Sequence, residues 1–249
     1  MVFLFGLLAW WVGGCSLLPR VTPKPIPTVG SLGAGAPAAS TLVVFLPGRG
    51  DRMEDFERRG LSAELARAGV RADWISVDAH LGYYRERTVI DRLREDVIAP
   101  ARARGYRRIV VVGLSLGGLG GLLYERDQPG QIDALVLIAP YLGQSRKHFA
   151  EITAAGGPAA WAASHTDAKG SVETELWTFL GRRQGNLPPT WLAYGESDRL
   201  AEGHRLLGPL LARERVLAQP GGHDWKTWQA LWRHLCHDSA LFADEKLAP

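Results

Sequence analysis

The chain has 249 residues, enough for one domain with a full core once an N-terminal segment is set aside. Hydrophobic content of 46 % and charged content of 22 % are those of a globular protein rather than a disordered or fibrous one. The net charge of +3 is spread over separate pairs (Arg58-Arg59, Arg107-Arg108, Arg182-Arg183) without interleaved aromatics, which argues against nucleic-acid binding, and two cysteines near opposite ends argue against a disulfide framework.

Residues 1–14 carry no charged side chain and are too few to span a bilayer as a helix, which takes about 20 apolar residues. They fit the apolar region of a signal peptide. Val12-Gly13-Gly14-Cys15 follows, and small residues before a cysteine at that place resemble a bacterial lipobox. The resemblance implies that residues 1–14 are removed and that Cys15 becomes the lipidated N-terminus. The protein would then sit at the cell envelope on the periplasmic face, anchored to the membrane without spanning it. Ser16 in place of Asp leans toward the outer membrane of a Gram-negative cell. The leader lacks Lys and Arg, and Val12 stands where Leu is usual. An ordinary signal peptide, releasing a soluble periplasmic or secreted protein, is the alternative. Residues 15–40 contain Pro19, Pro23, Pro25, Pro27 and Pro37 among Gly, Ala and Ser, so they are expected to extend as a tether holding a domain off the membrane.

The folded domain is expected over 41–249. Thr41 to Leu46 reads as a strand ending in Pro47-Gly48-Arg49-Gly50-Asp51, with Asp51 as N-cap of a helix from Met53 to Ala68. Val70 to Asp78 is a second strand, and Tyr84 to Arg104 a long amphipathic helix. Ile109 to Val112 is a short β-branched strand that stops at Gly113-Leu114-Ser115-Leu116-Gly117, after which an apolar, glycine-rich helix runs to Tyr124. Ile132 to Ala139 is almost wholly apolar, as befits a strand buried on both faces. No strand is evident between 141 and 189, where Phe149 to Ala163 and Val172 to Leu180 are expected as short helices of a small cap. Trp161 and Trp177 there are either an acyl-binding wall or the cap's own core. Thr190 to Tyr194 and Arg215 to Ala218 are the last strands, followed by a helix from Trp225 to Leu241. About six strands alternating with helices predict an α/β fold, a mostly parallel sheet covered on both faces.

In such sheets ligands bind beyond the carboxyl ends of the strands, and the suggestive chemistry lies there. Ser115 stands on a tight strand-to-helix turn, where Gly113 and Gly117 permit close approach of neighbouring chain. Asp198 follows a later strand, with Glu196 on the same turn as its rival, and His223 follows the last strand after Gly221-Gly222. Asp224, beside His223, is assigned to capping the closing helix. His80, His148, His165, His204, His234 and His237 read as surface or helix residues, and Cys236 as a buried small apolar one.

The order Ser, Asp, His on strand ends resembles the α/β-hydrolase family over residues 41 to 243. The resemblance implies an α/β-hydrolase fold and a triad of Ser115 as nucleophile, His223 as base and Asp198 as the acid that orients it. It also implies an oxyanion hole made by the backbone N–H groups of Leu116 and Arg49. The family commonly has His-Gly in the first loop, and Pro47 replaces that histidine here. The expected activity is hydrolysis of a small-molecule carboxylic ester or related acyl compound. A thioesterase, peptidase or acyltransferase would use the same triad, and a non-catalytic envelope lipoprotein would use the fold alone. No metal site and no cofactor are expected, because no Cys/His cluster has metal-ligand spacing and no phosphate-binding loop is evident. The sequence leaves the oligomeric state open.

Overall fold

In the computed structural model, residues 20–31, 37–165, 170–238 and 240–245 are described. The leader 1–14 and Cys15 lie outside them. Among the described residues seven strands form one sheet: β1 (Thr28–Gly30), β2 (Thr41–Leu46), β3 (Asp73–Val77), β4 (Arg108–Leu114), β5 (Ala134–Ile138), β6 (Thr190–Gly195) and β7 (Val216–Gln219). Their order is β1-β3-β2-β4-β5-β6-β7. All neighbours from β3 to β7 run parallel, and only β1 is antiparallel, on β3. The central strands are buried throughout because each face meets helices, and the period-2 alternation divides their side chains cleanly. Leu42, Val44 and Leu46 join one core with Val111, Leu135 and Leu192, while Val43 and Phe45 join the other with Val110, Val136 and Trp191.

The helices are more broken than the sequence pattern predicts. The segment expected as one helix over 53–68 is split into α1 (Asp55–Arg58) and α2 (Leu61–Arg67) by Gly60 at φ 78°. The expected helix over 84–104 divides at Arg87, also at positive φ, into α3 (Leu81–Arg85) and a second stretch. That stretch runs from α4 (Val89–Arg92) through a π-helical turn, Leu93–Ile98, into α5 (Ala99–Ala103). Pro100 has no N–H for the carbonyl four residues back and its ring crowds that group, so the turn before it widens. The nucleophile-turn helix is α6 (Leu116–Asp127). Between β5 and β6 lie α7 (Arg146–Ala154), α8 (Pro158–Ser164) and α9 (Val172–Arg182), with Gly156 and Gly157 at positive φ ending the first. Trp161 and Trp177 are core here, almost fully buried, and Trp177 Nε1–H donates to the Leu142 carbonyl at 2.9 Å. Helices α10 (Ala201–Leu207) and α11 (Trp225–Asp238) complete the set.

Residues 20–31 correct the expectation of a free tether over 15–40. They belong to the body of the fold, which therefore begins before residue 41. Ile26 is buried and its N–H donates to Asp96 at 2.8 Å, while β1 pairs with the outer edge of β3. Proline-flanked chain can be held this way because its few polar backbone groups find partners in side chains and one sheet edge. Among the described residues no helix is long and apolar enough to cross a membrane.

Candidate active site

Strand β4 delivers Ser115 to the carboxyl rim of the sheet at φ 48° and ψ −108°, a conformation that ordinary residues avoid at a cost of about 1–3 kcal/mol. The surroundings hold it there. Ser115 N–H donates to the Ile138 carbonyl at 3.0 Å, and its own carbonyl accepts from Tyr141 at 2.8 Å and Gly118 at 3.0 Å. The two elbow glycines are needed sterically: a Cβ on Gly113 would lie 2.3 Å from the Gly117 carbonyl oxygen.

The three side chains expected to meet do so. Ser115 Oγ–H donates to His223 Nε2 at 3.0 Å, and His223 Nδ1–H donates to Asp198 Oδ2 at 2.8 Å. Their loops are registered by backbone contacts between β6 and β7, with Ser197 N–H on the Gly221 carbonyl at 2.9 Å. Asp198 is fixed a second time, its Oδ1 accepting from Leu200 N–H at 2.7 Å. Burial alone would raise its carboxyl, but the hydrogen bonds from His223 and Leu200 outweigh burial and hold it below the usual carboxylate value. Trp228 meets the His223 ring edge-on at 5.0 Å between centroids. The rivals of Asp198 are elsewhere: Glu196 is exposed, and Asp224 accepts from Thr227 N–H at 2.9 Å at the start of α11.

Gly48 lies against the serine, so that a Cβ there would be 3.5 Å from Ser115 Cβ. Arg49 is therefore beside the nucleophile, and Leu116, first residue of α6, has no intrahelical acceptor for its N–H. Asp51 does not cap α1: its Oδ1 accepts from Trp225 Nε1–H at 3.0 Å, and burial raises its carboxyl. The role was missed because the partner is 174 residues away in sequence.

A cavity of about 850 Å³ opens above Ser115 and His223. Leu116, Leu119 and Leu123, spaced three and four apart, present one face of α6 to it. Leu81, Tyr84 and Val172 complete an apolar wall. Tyr84 Oη–H donates to the Leu116 carbonyl at 3.1 Å and Tyr141 Oη–H to Glu173 at 2.9 Å, so both phenols brace the wall. Apart from Leu116, these residues were not singled out in the sequence, since nothing local distinguishes a pocket tyrosine from a core one. Among the described residues no group of three His, Cys, Asp or Glu is placed to hold a metal ion.

His204 lies on a helix, α10, one of the two placements expected for it, and both it and His80 are buried. His204 Nε2–H donates to the Pro140 carbonyl at 2.9 Å while Nδ1 is buried without a protein partner, and burial pushes its pKa down to about 4. The unfolded chain therefore takes up this proton below about pH 6.5, whereas the folded chain resists until about pH 4. Stability is expected to fall as pH drops through that window, by roughly 3 kcal/mol from this one ring. Urea unfolding at pH 7 and pH 4.5 checks it: His204→Gln should show a flatter pH dependence than the parent, and equal slopes would count against it.

No curated protein matches the chain in sequence. Solved structures resemble it at low identity. A ferulic acid esterase matches at TM-score 0.55 and 15 % identity, over 87 % of this chain and 98 % of the other. A monoacylglycerol lipase from Paleococcus ferrophilus gives 0.55 and 18 %, over 85 % and 98 %. The thioesterase domain from the curacin biosynthetic pathway gives 0.51 and 14 %, over 85 % and 98 %. Likeness at such identities shows the fold alone. The sequence model of the alpha/beta hydrolase family matches residues 43–249, nearly all of the folded chain, and the protein belongs to that family.

Proposed function

We propose that the protein is a serine hydrolase that cleaves carboxylic esters through an acyl-Ser115 intermediate. The observation that carries this reading is the continuous hydrogen-bonded row from Ser115 Oγ through His223 to Asp198 at the floor of an open cavity. A serine hydroxyl is a weak nucleophile near neutral pH, so His223 Nε2 takes its proton as Oγ attacks the ester carbonyl. The resulting oxyanion is held by the N–H groups of Arg49 and Leu116. His223 returns the proton to the departing alcohol as the C–O bond breaks. Water, deprotonated by the same imidazole, then releases the acid and restores Ser115. Asp198 keeps the Nδ1–H tautomer and stabilises the imidazolium. The leucine face of α6 suits an apolar acyl group.

The segment ahead of the domain belongs to the same reading: Cys15 carries a lipid, and the enzyme works at the cell envelope. One mass-spectrometric experiment addresses both parts. A fluorophosphonate should add to wild-type protein at Ser115 and not to Ser115→Ala, and the mature N-terminus should be a diacylated Cys15. Equal labelling of the variant would overturn the nucleophile, and an unmodified Cys15 the anchor.

A further inference from the structure

We infer that the substrate carries a medium-chain acyl group, and that Leu123 on α6 stops that chain at about eight carbons. The inference deepens the hydrolase reading and rests on it for the direction in which the ester lies. His223 returns its proton to the departing alcohol, so the alcohol oxygen must lie on the imidazole side of Ser115. Trp228 is 5.0 Å from the His223 ring and Trp225 5.3 Å from Trp228, and both line that part of the cavity. The acyl group is left the wall built on α6, where Leu116, Leu119 and Leu123 meet the cavity. These three keep 8, 6 and 8 % of their surface accessible, while Leu122 on the same helix keeps none. From Leu116 to Leu123 the helix carries only leucines and glycines, so no polar side chain interrupts the run. The hydroxyl of Tyr84 is spent on the Leu116 carbonyl at 3.1 Å and occupies the space a Cβ on Gly120 would need. Glycine at 120 thus lets α3 close over α6 and adds the Tyr84 ring to the apolar wall.

The length follows from helix geometry. From Leu116 to Leu123 the axis advances about 10 Å, at about 1.5 Å per residue. A zigzag of C–C bonds of about 1.5 Å advances about 1.3 Å per carbon, so about eight carbons cover that distance. Past Leu123 the surroundings change character. Arg126, one turn further along α6, donates to Glu175 at 3.1 Å. Glu175 in turn lies one turn beyond Val172, which lines the cavity from α9. An ion pair therefore joins the two helices where the apolar wall ends. Each methylene laid along the leucines leaves water for an apolar surface, which favours binding. A longer chain would have to pass Leu123 and press against paired charges, stripping them of water.

The test is a series of p-nitrophenyl esters from acetate to laurate, each kept below its solubility limit. kcat/KM should rise by up to about fourfold per added carbon as far as octanoate, then level or fall. A maximum at acetate, or a rise that continues to laurate, would overturn the stop. Leu123→Trp should move the maximum to shorter chains and Leu123→Ala to longer ones. A maximum fixed at octanoate in both folded variants would place the stop elsewhere. Leu122→Ala, changed at a leucine outside the cavity wall, should lose stability and keep the octanoate maximum. A shift there as large as in Leu123→Ala would trace the effect to helix displacement and overturn the role of Leu123. Calorimetry of the same esters with Ser115→Ala separates binding from chemistry: Kd should tighten as far as octanoate and no further. If a fluorophosphonate fails to label the wild type, the hydrolase reading falls, and the Kd series still decides the chain length.

Discussion

Asp198→Asn is expected to lower turnover of a soluble ester by about 10,000-fold while leaving the urea midpoint nearly unchanged. The reason lies in the two hydrogen bonds that fix this carboxylate. Oδ1 accepts from Leu200 N–H at 2.7 Å and Oδ2 from His223 Nδ1–H at 2.8 Å. An amide has one accepting end and one donating end. The Leu200 N–H cannot turn away, because the turn is closed by Asp198 N–H on the Gly195 carbonyl at 3.0 Å. The amide oxygen must face Leu200, and its NH2 group then faces His223 Nδ1. Nδ1 becomes an acceptor, the ring proton moves to Nε2, and Nε2 can no longer take the proton of Ser115. The variant keeps its shape and loses its base. Steady-state kcat/KM on a short-chain p-nitrophenyl ester and the rate of fluorophosphonate labelling should fall together. A variant within tenfold of the parent would mean that another carboxylate orients the imidazole.

The parts of this site that could be read from the sequence share a property: each is marked locally. Ser115 is flanked by glycines after a β-branched run, His223 follows two glycines after a strand, and Asp198 ends another strand. The strands themselves are legible because burial on both faces demands unbroken apolar runs such as Leu42 to Leu46 and Ala134 to Ile138. What escaped depends on distant partners. Asp51 looks like a cap until Trp225 is folded onto it. His204 looks like a helix-surface residue until Tyr194, at 4.9 Å between ring centroids, and the Pro140 carbonyl enclose it. Strand β1 has three residues in a proline-rich segment, too few to show alternation, and it exists because β3 offers a free edge. The glycine and proline breaks in the helices shift boundaries without changing which faces are buried.

The larger structural effect is expected at Gly117. A Cβ built there would lie 2.1 Å from the Leu46 carbonyl oxygen and 2.5 Å from its carbon. Both are backbone atoms at the end of β2, a strand bonded on either side to β3 and β4, so no side-chain rotation can relieve the contact. Gly117→Ala should therefore destabilise the fold by about 4 kcal/mol or more, a large share of the 5–15 kcal/mol that holds a domain together. Gly121, one turn further along α6, provides the contrast. Its Cβ would meet the tip of the Leu135 side chain at 2.6 Å, and alanine gains about 1 kcal/mol of helix propensity over glycine. Gly121→Ala should stay within about 1 kcal/mol of the parent. Urea unfolding of the two variants separates the cases, and a Gly117→Ala protein with the parental midpoint would show that α6 can lift from β2. The same close approach sets the chemistry. With Gly117 seated on Leu46, the loop that follows β2 runs past Ser115, which brings Gly48 against the serine and Arg49 to the cavity beside it, and the proposed mechanism takes the N–H of Arg49 as an oxyanion donor. Any Gly117→Ala protein that remains folded should therefore react more slowly with fluorophosphonate, because lifting the helix moves Leu116 N–H and Arg49 N–H apart. Parental labelling rates in such a protein would place the second donor outside this loop.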